Sequence, residues 1–120
     1  MSGAYYETPF MYGLAGTKRV HGDLETVWGD HRRRGKGSAR PGRLGLWYRH
    51  RYRWPRRIRW AEVTEWSVGR DGSEGITHTH ALIVASASGR VVLRVRGPAG
   101  ALAVVRIRES IRRQMRKTIV

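Results

Sequence analysis

The sequence lacks several features on which whole classes of protein depend. Its 120 residues include no cysteine, which excludes disulfides, thiolate metal sites and a cysteine nucleophile. No window approaches the run of about 18 apolar residues that a transmembrane helix requires. The N-terminus also lacks the basic region and apolar run of a secretory signal. We therefore expect a soluble, cytoplasmic protein that folds without disulfides.

Acidic residues are missing from the middle of the chain. No aspartate or glutamate occurs between Asp30 and Glu62, and the whole chain has 9 acidic against 24 basic residues. The formal net charge is +15 at pH 7, and the pI is near 11.6. Because a single-signed run repels itself, charge of this size favours an external anion as partner. Nucleic acid is the leading candidate, and an anionic membrane surface or an acidic protein are alternatives.

The acid-free segment interleaves arginines with aromatic residues. Guanidinium groups pair with phosphate oxygens, and tryptophan or tyrosine rings stack on bases. We therefore expect contacts mainly to phosphates, with little base specificity. The candidate binding residues are Arg32, Arg33, Arg34, Lys36, Arg40, Trp47, Arg49, Arg51, Arg53, Trp54, Arg56 and Arg57.

The chain divides into an N-terminal arm and a single domain. Residues 1–22 are rich in glycine and aromatic residues without clear periodicity, so they are either a disordered terminus or an arm that docks on its own domain or a neighbouring subunit. The domain occupies residues 23–120 and begins with a short strand at 24–29. Residues 30–42 have the glycine, serine, proline and charge content of a long basic loop.

Alternation of residue types predicts several strands. From Arg43 to Arg53 apolar residues alternate with basic ones, which indicates a strand with a basic outer face. We expect further strands at 58–68, 76–87 and 91–95, with a turn at 69–73 and a tight hairpin turn at 88–90. Trp28, Trp60 and Trp66 are interpreted as core anchors, in contrast to Trp47 and Trp54.

The C-terminal part of the chain has the periodicity of an amphipathic helix. Apolar residues recur at a spacing near 3.6, and most of the remaining surface is basic. We predict one helix over 101–117 that packs on the sheet. The apolar side chains of its buried face are Ala101, Val104, Ile107, Ile111 and Met115.

The order of the last elements is informative. The segment RIRWAEVTEWSV at 57–68 is followed by the hairpin ALIVASASGRVVLRV at 81–95 and by the helix from residue 101. This order resembles the C-terminal half of small bacterial pleckstrin-homology-like (PH-like) domains, over about residues 43–117. The resemblance implies an α+β, mainly β fold: a small antiparallel open barrel capped by one C-terminal amphipathic helix. In lipid-binding members the loop between the first two strands holds inositol phosphates, and the basic block at 32–40 matches that placement.

One string has a composition typical of catalysis, Thr77-His78-Thr79-His80. Alternation on a strand puts His78 and His80 on one face, close enough to share a metal or a phosphate. The second histidine motif of two-histidine phosphoesterases is missing, and the nearest carboxylates are Asp71 and Glu74. We interpret the pair as surface strand histidines, and expect neither catalysis nor a metal or cofactor.

Three functions remain open from the sequence. The first is a non-enzymatic binding or adaptor module that engages nucleic-acid phosphates or another polyanion. The second is a module that binds anionic lipid head groups of the phosphoinositide type. The third is a structural subunit of a larger phage or nucleoprotein assembly, in which residues 1–22 contact neighbouring subunits or another copy of the chain.

Overall fold

The fold is built on one antiparallel sheet. The computed structural model describes residues 19–71 and 79–119. The strands are β1 (Val20–Trp28), β2 (His31–Pro41), β3 (Leu46–His50), β4 (Arg56–Ile58), β5 (Val63–Asp71), β6 (Thr79–Ser86) and β7 (Gly89–Arg96), and helix α1 spans Gly97–Ile119. The seven strands pair in the order β4-β3-β2-β1-β7-β6-β5 and curl into an open half-barrel. The prediction of a mainly β, α+β chain with one C-terminal helix is confirmed.

The core lies between the concave face of the sheet and α1. Alternate residues of the strands point inward, so Leu24 of β1, Leu82 of β6 and Leu93 of β7 are at most 1% exposed. Ile107 and Ile111 of α1 are buried against them, as their helical spacing predicts. This burial of one face on each element is what holds the helix on the sheet.

The helix is longer than predicted at both ends. Its first turn contains Pro98, which is tolerated there because the first backbone N–H groups of a helix have no partner within the helix. Met115 packs half-buried against the core. The side chains of Ala101 and Val104 lie outside the described residues.

Two of the predicted core tryptophans flank the core and one lies within it. Trp60 is buried in a single 3-10 turn, Trp60–Glu62, and its indole N–H donates a 2.8 Å hydrogen bond to the Gly42 carbonyl oxygen. Trp28 and Trp66 are partly buried and pack against the core cluster. The interpretation as a core anchor is confirmed for Trp60, whereas Trp28 and Trp66 lie at the edge of the core.

The prediction of a flexible basic loop at 30–42 is wrong, because residues 31–41 form strand β2. Its link to β1 is the tight turn Gly29-Asp30, in which Gly29 has a φ of 60°. Glycine and serine have low strand propensity, but β2 pairs with β1 on one side and β3 on the other, and this pairing outweighs local preference. Gly37 also has a packing role, since a Cβ there would lie 2.6 Å from Leu24 Cδ2 and from the Arg49 carbonyl oxygen.

Several predicted boundaries move. β1 begins at Val20 instead of residue 24, so residues 20–22 belong to the sheet and not to the arm; residues 1–18 lie outside the described residues. β3 is shorter than the predicted strand at 43–53. The strand predicted at 58–68 divides into β4, the 3-10 turn and β5. Of the turn predicted at 69–73, residues 69–71 belong to β5, and residues 72–73 fall within residues 72–78, which are not described.

Candidate anion-binding surface

The candidate residues at the start of β2 divide between the two faces of the sheet. Successive side chains of a strand point to opposite faces. Arg32, Arg34 and Lys36 therefore lie on the outer face, which points away from α1, whereas Arg33 lies on the inner face beside Thr26 of β1. A run that forms one basic cluster in the sequence thus contributes to two surfaces.

Cations from β2, β3, β4 and β7 share the outer face. Lys36 lies opposite Asp23 of β1, which in turn lies opposite Arg94 of β7. On the other side of β2, Arg40 lies opposite Trp47 of β3, whose other neighbour is Arg57 of β4. We call this surface the basic face, and its cationic residues are Arg32, Arg34, Lys36, Arg40, Arg49, Arg57, Arg90, Arg94 and Arg96.

Carboxylates of β1 lie among these cations. Glu25 Oε2 is 3.6 Å from Arg32 Nε, and Glu25 Oε1 is 3.4 Å from Arg94 Nη1. The acid-free run therefore does have nearby counter-ions, because antiparallel pairing brings them from a different strand. Glu25 and Asp23 offset only part of the charge, so the basic face keeps an excess of cations.

A cavity of about 570 Å³ opens where β1, β2, β3 and β7 lie side by side. The backbone N–H of Arg51 donates a 2.9 Å hydrogen bond to the Lys36 carbonyl oxygen, which fixes the turn after β3 against β2. The cavity brings together Lys36, Arg49 and Arg51, three of the residues predicted to bind. Its charged lining is completed by Asp23, Arg94 and Arg96.

Sequence reasoning missed the cations of β7. Arg90, Arg94 and Arg96 lie outside the acid-free run, and nothing in the linear order links them to it. Their alternation with valines and a leucine shows that they share a face, which is a usable signal. What the sequence does not reveal is that β7 pairs with β1 and so joins the same surface as β2.

A second cavity, of about 480 Å³, lies at the ends of β1 and β3 nearest the β3–β4 turn. We call it the groove. No residue of α1 lines it, and its lining includes no carboxylate among the described residues. It brings together six of the predicted residues, Arg32, Arg33, Arg49, Arg53, Trp54 and Arg56. The full lining is Thr26, Trp28, His31, Arg32, Arg33, Tyr48, Arg49, His50, Arg53, Trp54 and Arg56.

The floor of the groove contains a buried polar pair. Thr26 Oγ1 and His50 Nε2 are 2.9 Å apart in a hydrogen bond, and both residues are buried. Burial lowers the pKa of His50, and the positive charges of Arg33 and Arg53 lower it further. Burial and these two arginines therefore favour the neutral form of the ring.

Two stacked aromatic rings form one wall of the groove. The Trp28 and Tyr48 rings lie 6.2 Å apart between centroids, with an interplanar angle of 16°. Burial raises the pKa of Tyr48 to about 12, against opposing effects of Arg56 and of the nearby Trp28 indole N–H. That N–H is shielded from solvent, yet it makes no hydrogen bond of ordinary geometry.

The tryptophans predicted to be exposed differ in their surroundings. Trp47 is half-buried on the basic face. The Arg57 guanidinium carbon lies over its ring, 5.1 Å from the ring centroid. Trp54 is 87% exposed at the rim of the groove. Tyr52, on the same turn, is also 87% exposed and has a φ of 65°, a left-handed conformation that is unusual for a residue other than glycine.

The histidine string is only partly described. Thr77 and His78 lie outside the described residues, and His80, near the start of β6, is half-buried instead of fully exposed. Within residues 19–71 and 79–119, no group of three or more His, Asp or Glu side chains could hold a metal ion. Over the same residues, α1 included, no helix is both long enough and apolar enough to cross a bilayer.

No protein-family model matches the chain, and a search of curated proteins found no match. The function is therefore inferred from the charges, cavities and exposed rings of this chain.

Proposed function

We propose that the chain is a non-enzymatic module that binds a polyanion, in the first place nucleic-acid phosphates, through the basic face. The observation that carries the proposal is the arrangement of cations from four strands on one surface, which the carboxylates of β1 offset only in part. Neighbouring strands lie about 4.8 Å apart, so cations on adjacent strands can contact successive phosphates of one backbone. Such binding releases counter-ions and depends little on base sequence.

The element order supports a PH-like fold for the module. An antiparallel sheet, a hairpin between β6 and β7 and one closing helix are what the resemblance implies. The sheet is open between its edge strands β4 and β5, as in an open barrel. We propose this relationship from the order and pairing of the elements.

An anionic lipid head group is the second candidate ligand. Exposed Tyr52 and Trp54 lie on one turn with Arg51 and Arg53, and aromatic residues beside cations are typical of membrane-interface contacts. The resemblance, however, assigns lipid binding to a basic loop between the first two strands. Here that connection is the short turn Gly29-Asp30, which carries no cation. This difference favours nucleic acid.

A competition experiment separates the candidate partners. The full chain is titrated with duplex DNA, single-stranded DNA, RNA, and vesicles with and without phosphoinositides, all at physiological salt. We expect it to bind the nucleic acids and to be displaced from them poorly by vesicles. A preference for phosphoinositide vesicles, with no binding of nucleic acid, would replace the proposal by the lipid function. Binding to none of them would favour a subunit of a larger assembly.

The location of binding is tested with charge-matched variants. Arg34→Gln with Lys36→Gln removes one arginine and one lysine from the basic face. Arg113→Gln with Lys117→Gln removes the same charges from exposed positions of α1, which packs on the opposite face of the sheet. We expect only the first pair to weaken binding to every nucleic acid by similar factors. Equal losses from both pairs would mean that net charge, and not the basic face, attracts the ligand.

A further inference from the structure

The groove differs from the basic face in shape and in composition. It is a cavity of about 480 Å³ on the inner side of the sheet, a size typical of sites for small ligands. The basic face is a broad surface suited to a backbone, whereas the groove encloses a space between aromatic rings and guanidinium groups. Its residues come from β1, β2, β3, β4 and the β3–β4 turn, so the sheet itself sets their positions.

The charges of the groove favour binding of an anion. Arg33, Arg53 and Arg56 line it, and no aspartate or glutamate is among the described lining residues. Arg32 and Arg49 also line it, and the Glu25 carboxylate that pairs with Arg32 lies on the outer face of the sheet. Burial lowers the pKa of His50 on the groove floor, and the charges of Arg33 and Arg53, which line the same cavity, lower it further. An anionic group between them would relieve their mutual repulsion.

The aromatic residues of the groove favour a ligand in which a flat ring is attached to that anion. Trp54 presents almost its whole ring to solvent at the rim. Deeper in the groove, Trp28 is only half-buried and is backed by the Tyr48 ring in a stacked pair. The Trp28 indole N–H is shielded from solvent, so the ring offers its apolar surface to the groove. Ring surfaces and guanidinium groups within one cavity match a base joined to a phosphate.

We propose that the groove binds one unpaired nucleotide of a single-stranded nucleic acid, with the base against Trp54 and Trp28 and its phosphate between Arg33 and Arg53. This inference rests on the proposed function and adds a preference to it. The basic face binds phosphates whether or not the strands are paired. A base within a duplex cannot leave its stack without cost, so the groove favours single strands, loops and ends.

The test compares Trp54→Ala with Tyr52→Ala in the full chain. Both residues are 87% exposed on the same turn, so both variants should fold, but only Trp54 lines the groove. Dissociation constants are measured for a thymidine oligonucleotide and for a duplex of the same length. Loss of base stacking should weaken single-strand binding of Trp54→Ala by about 5- to 150-fold. Duplex binding, and both affinities of Tyr52→Ala, should change far less.

The possible outcomes separate this inference from the proposed function. If Trp54→Ala leaves single-strand binding intact, or if Tyr52→Ala weakens it as much, the groove proposal is wrong while duplex binding by the basic face still stands. If the unaltered chain binds neither nucleic acid, both proposals fail. Binding of phosphoinositide vesicles that depends on Trp54, without oligonucleotide binding, overturns the nucleotide assignment in favour of a lipid head group.

Discussion

Replacing Gly37 by alanine should destabilise the protein, whereas replacing Gly35 by alanine should not. Both glycines lie on β2 and share one face of the sheet. A Cβ on Gly37 would lie 2.6 Å from Leu24 Cδ2 and from the Arg49 carbonyl oxygen, but a Cβ on Gly35 would meet no atom within 4 Å. The leucine side chain can shift, but the carbonyl belongs to the backbone of β3 and is held by strand pairing.

The magnitude follows from the crowding. Inserting a carbon into a well-packed site typically costs about 1–3 kcal/mol, so the melting temperature of Gly37→Ala should fall by roughly 4–12 °C. Alanine at the open position should be neutral or stabilise by up to about 1 kcal/mol, because glycine loses more backbone entropy on folding.

Thermal and urea unfolding, followed by circular dichroism and tryptophan fluorescence, measure both variants. If residues 31–41 were a flexible loop, neither position would be crowded and the two variants would have similar midpoints. Equal midpoints for Gly35→Ala and Gly37→Ala would therefore refute the assignment of β2 as a packed central strand.

The remaining predictions concern the core, the groove and the histidines. Ile111→Ala should lower the free energy of unfolding by about 2–5 kcal/mol, whereas Leu102→Ala, at an exposed position, should change it by less than about 0.5 kcal/mol in urea denaturation. The protein should lose stability as the pH falls below the ordinary histidine pKa of 6.5. His50 then binds a proton in the unfolded state, whereas its lowered pKa in the folded state opposes protonation. His50→Gln should flatten that dependence between pH 7.5 and 5.5, and an unchanged slope would contradict it. His80→Ala should leave nucleic-acid binding intact; loss of a metal-dependent hydrolytic activity in that variant would show an enzyme.

Sequence periodicity predicted the elements whose buried and exposed faces differ most. The spacing of Ile107 and Ile111 predicted an inward helix face because a helix on a sheet needs one apolar stripe. In the same way, Leu46, Tyr48 and His50 alternate with more exposed residues, and all three are buried in β3. In these segments the local pattern and the tertiary packing agree.

Strand β2 could not be predicted from its own residues. Glycine, serine, proline and consecutive arginines are typical of a loop, and nothing within residues 31–41 indicates which strands lie on either side. The strand exists because β1 and β3 supply hydrogen-bond partners. Glycine is needed at position 37 because Leu24 of β1 and the backbone of Arg49 in β3 approach it closely. Such pairing is a property of the whole sheet.

The candidate site was predicted in composition but not in arrangement. The acid-free run identified most of the cations, yet the alternation of β2 separates Arg33 from Arg32 and Arg34. The acid-free run also gave no indication that Glu25 would supply a counter-ion or that Arg94 would join the surface from β7. These facts depend on register between strands that are distant in the sequence.

The salt dependence of duplex binding tests the central claim most directly. For B-DNA, the logarithm of the binding constant falls with the logarithm of salt concentration by about 0.9 per phosphate neutralised. The Arg34→Gln and Lys36→Gln pair should flatten this slope by up to about 1.8, while the Arg113→Gln and Lys117→Gln pair should leave it unchanged. A slope that neither pair alters, or that both alter equally, would contradict binding through the basic face.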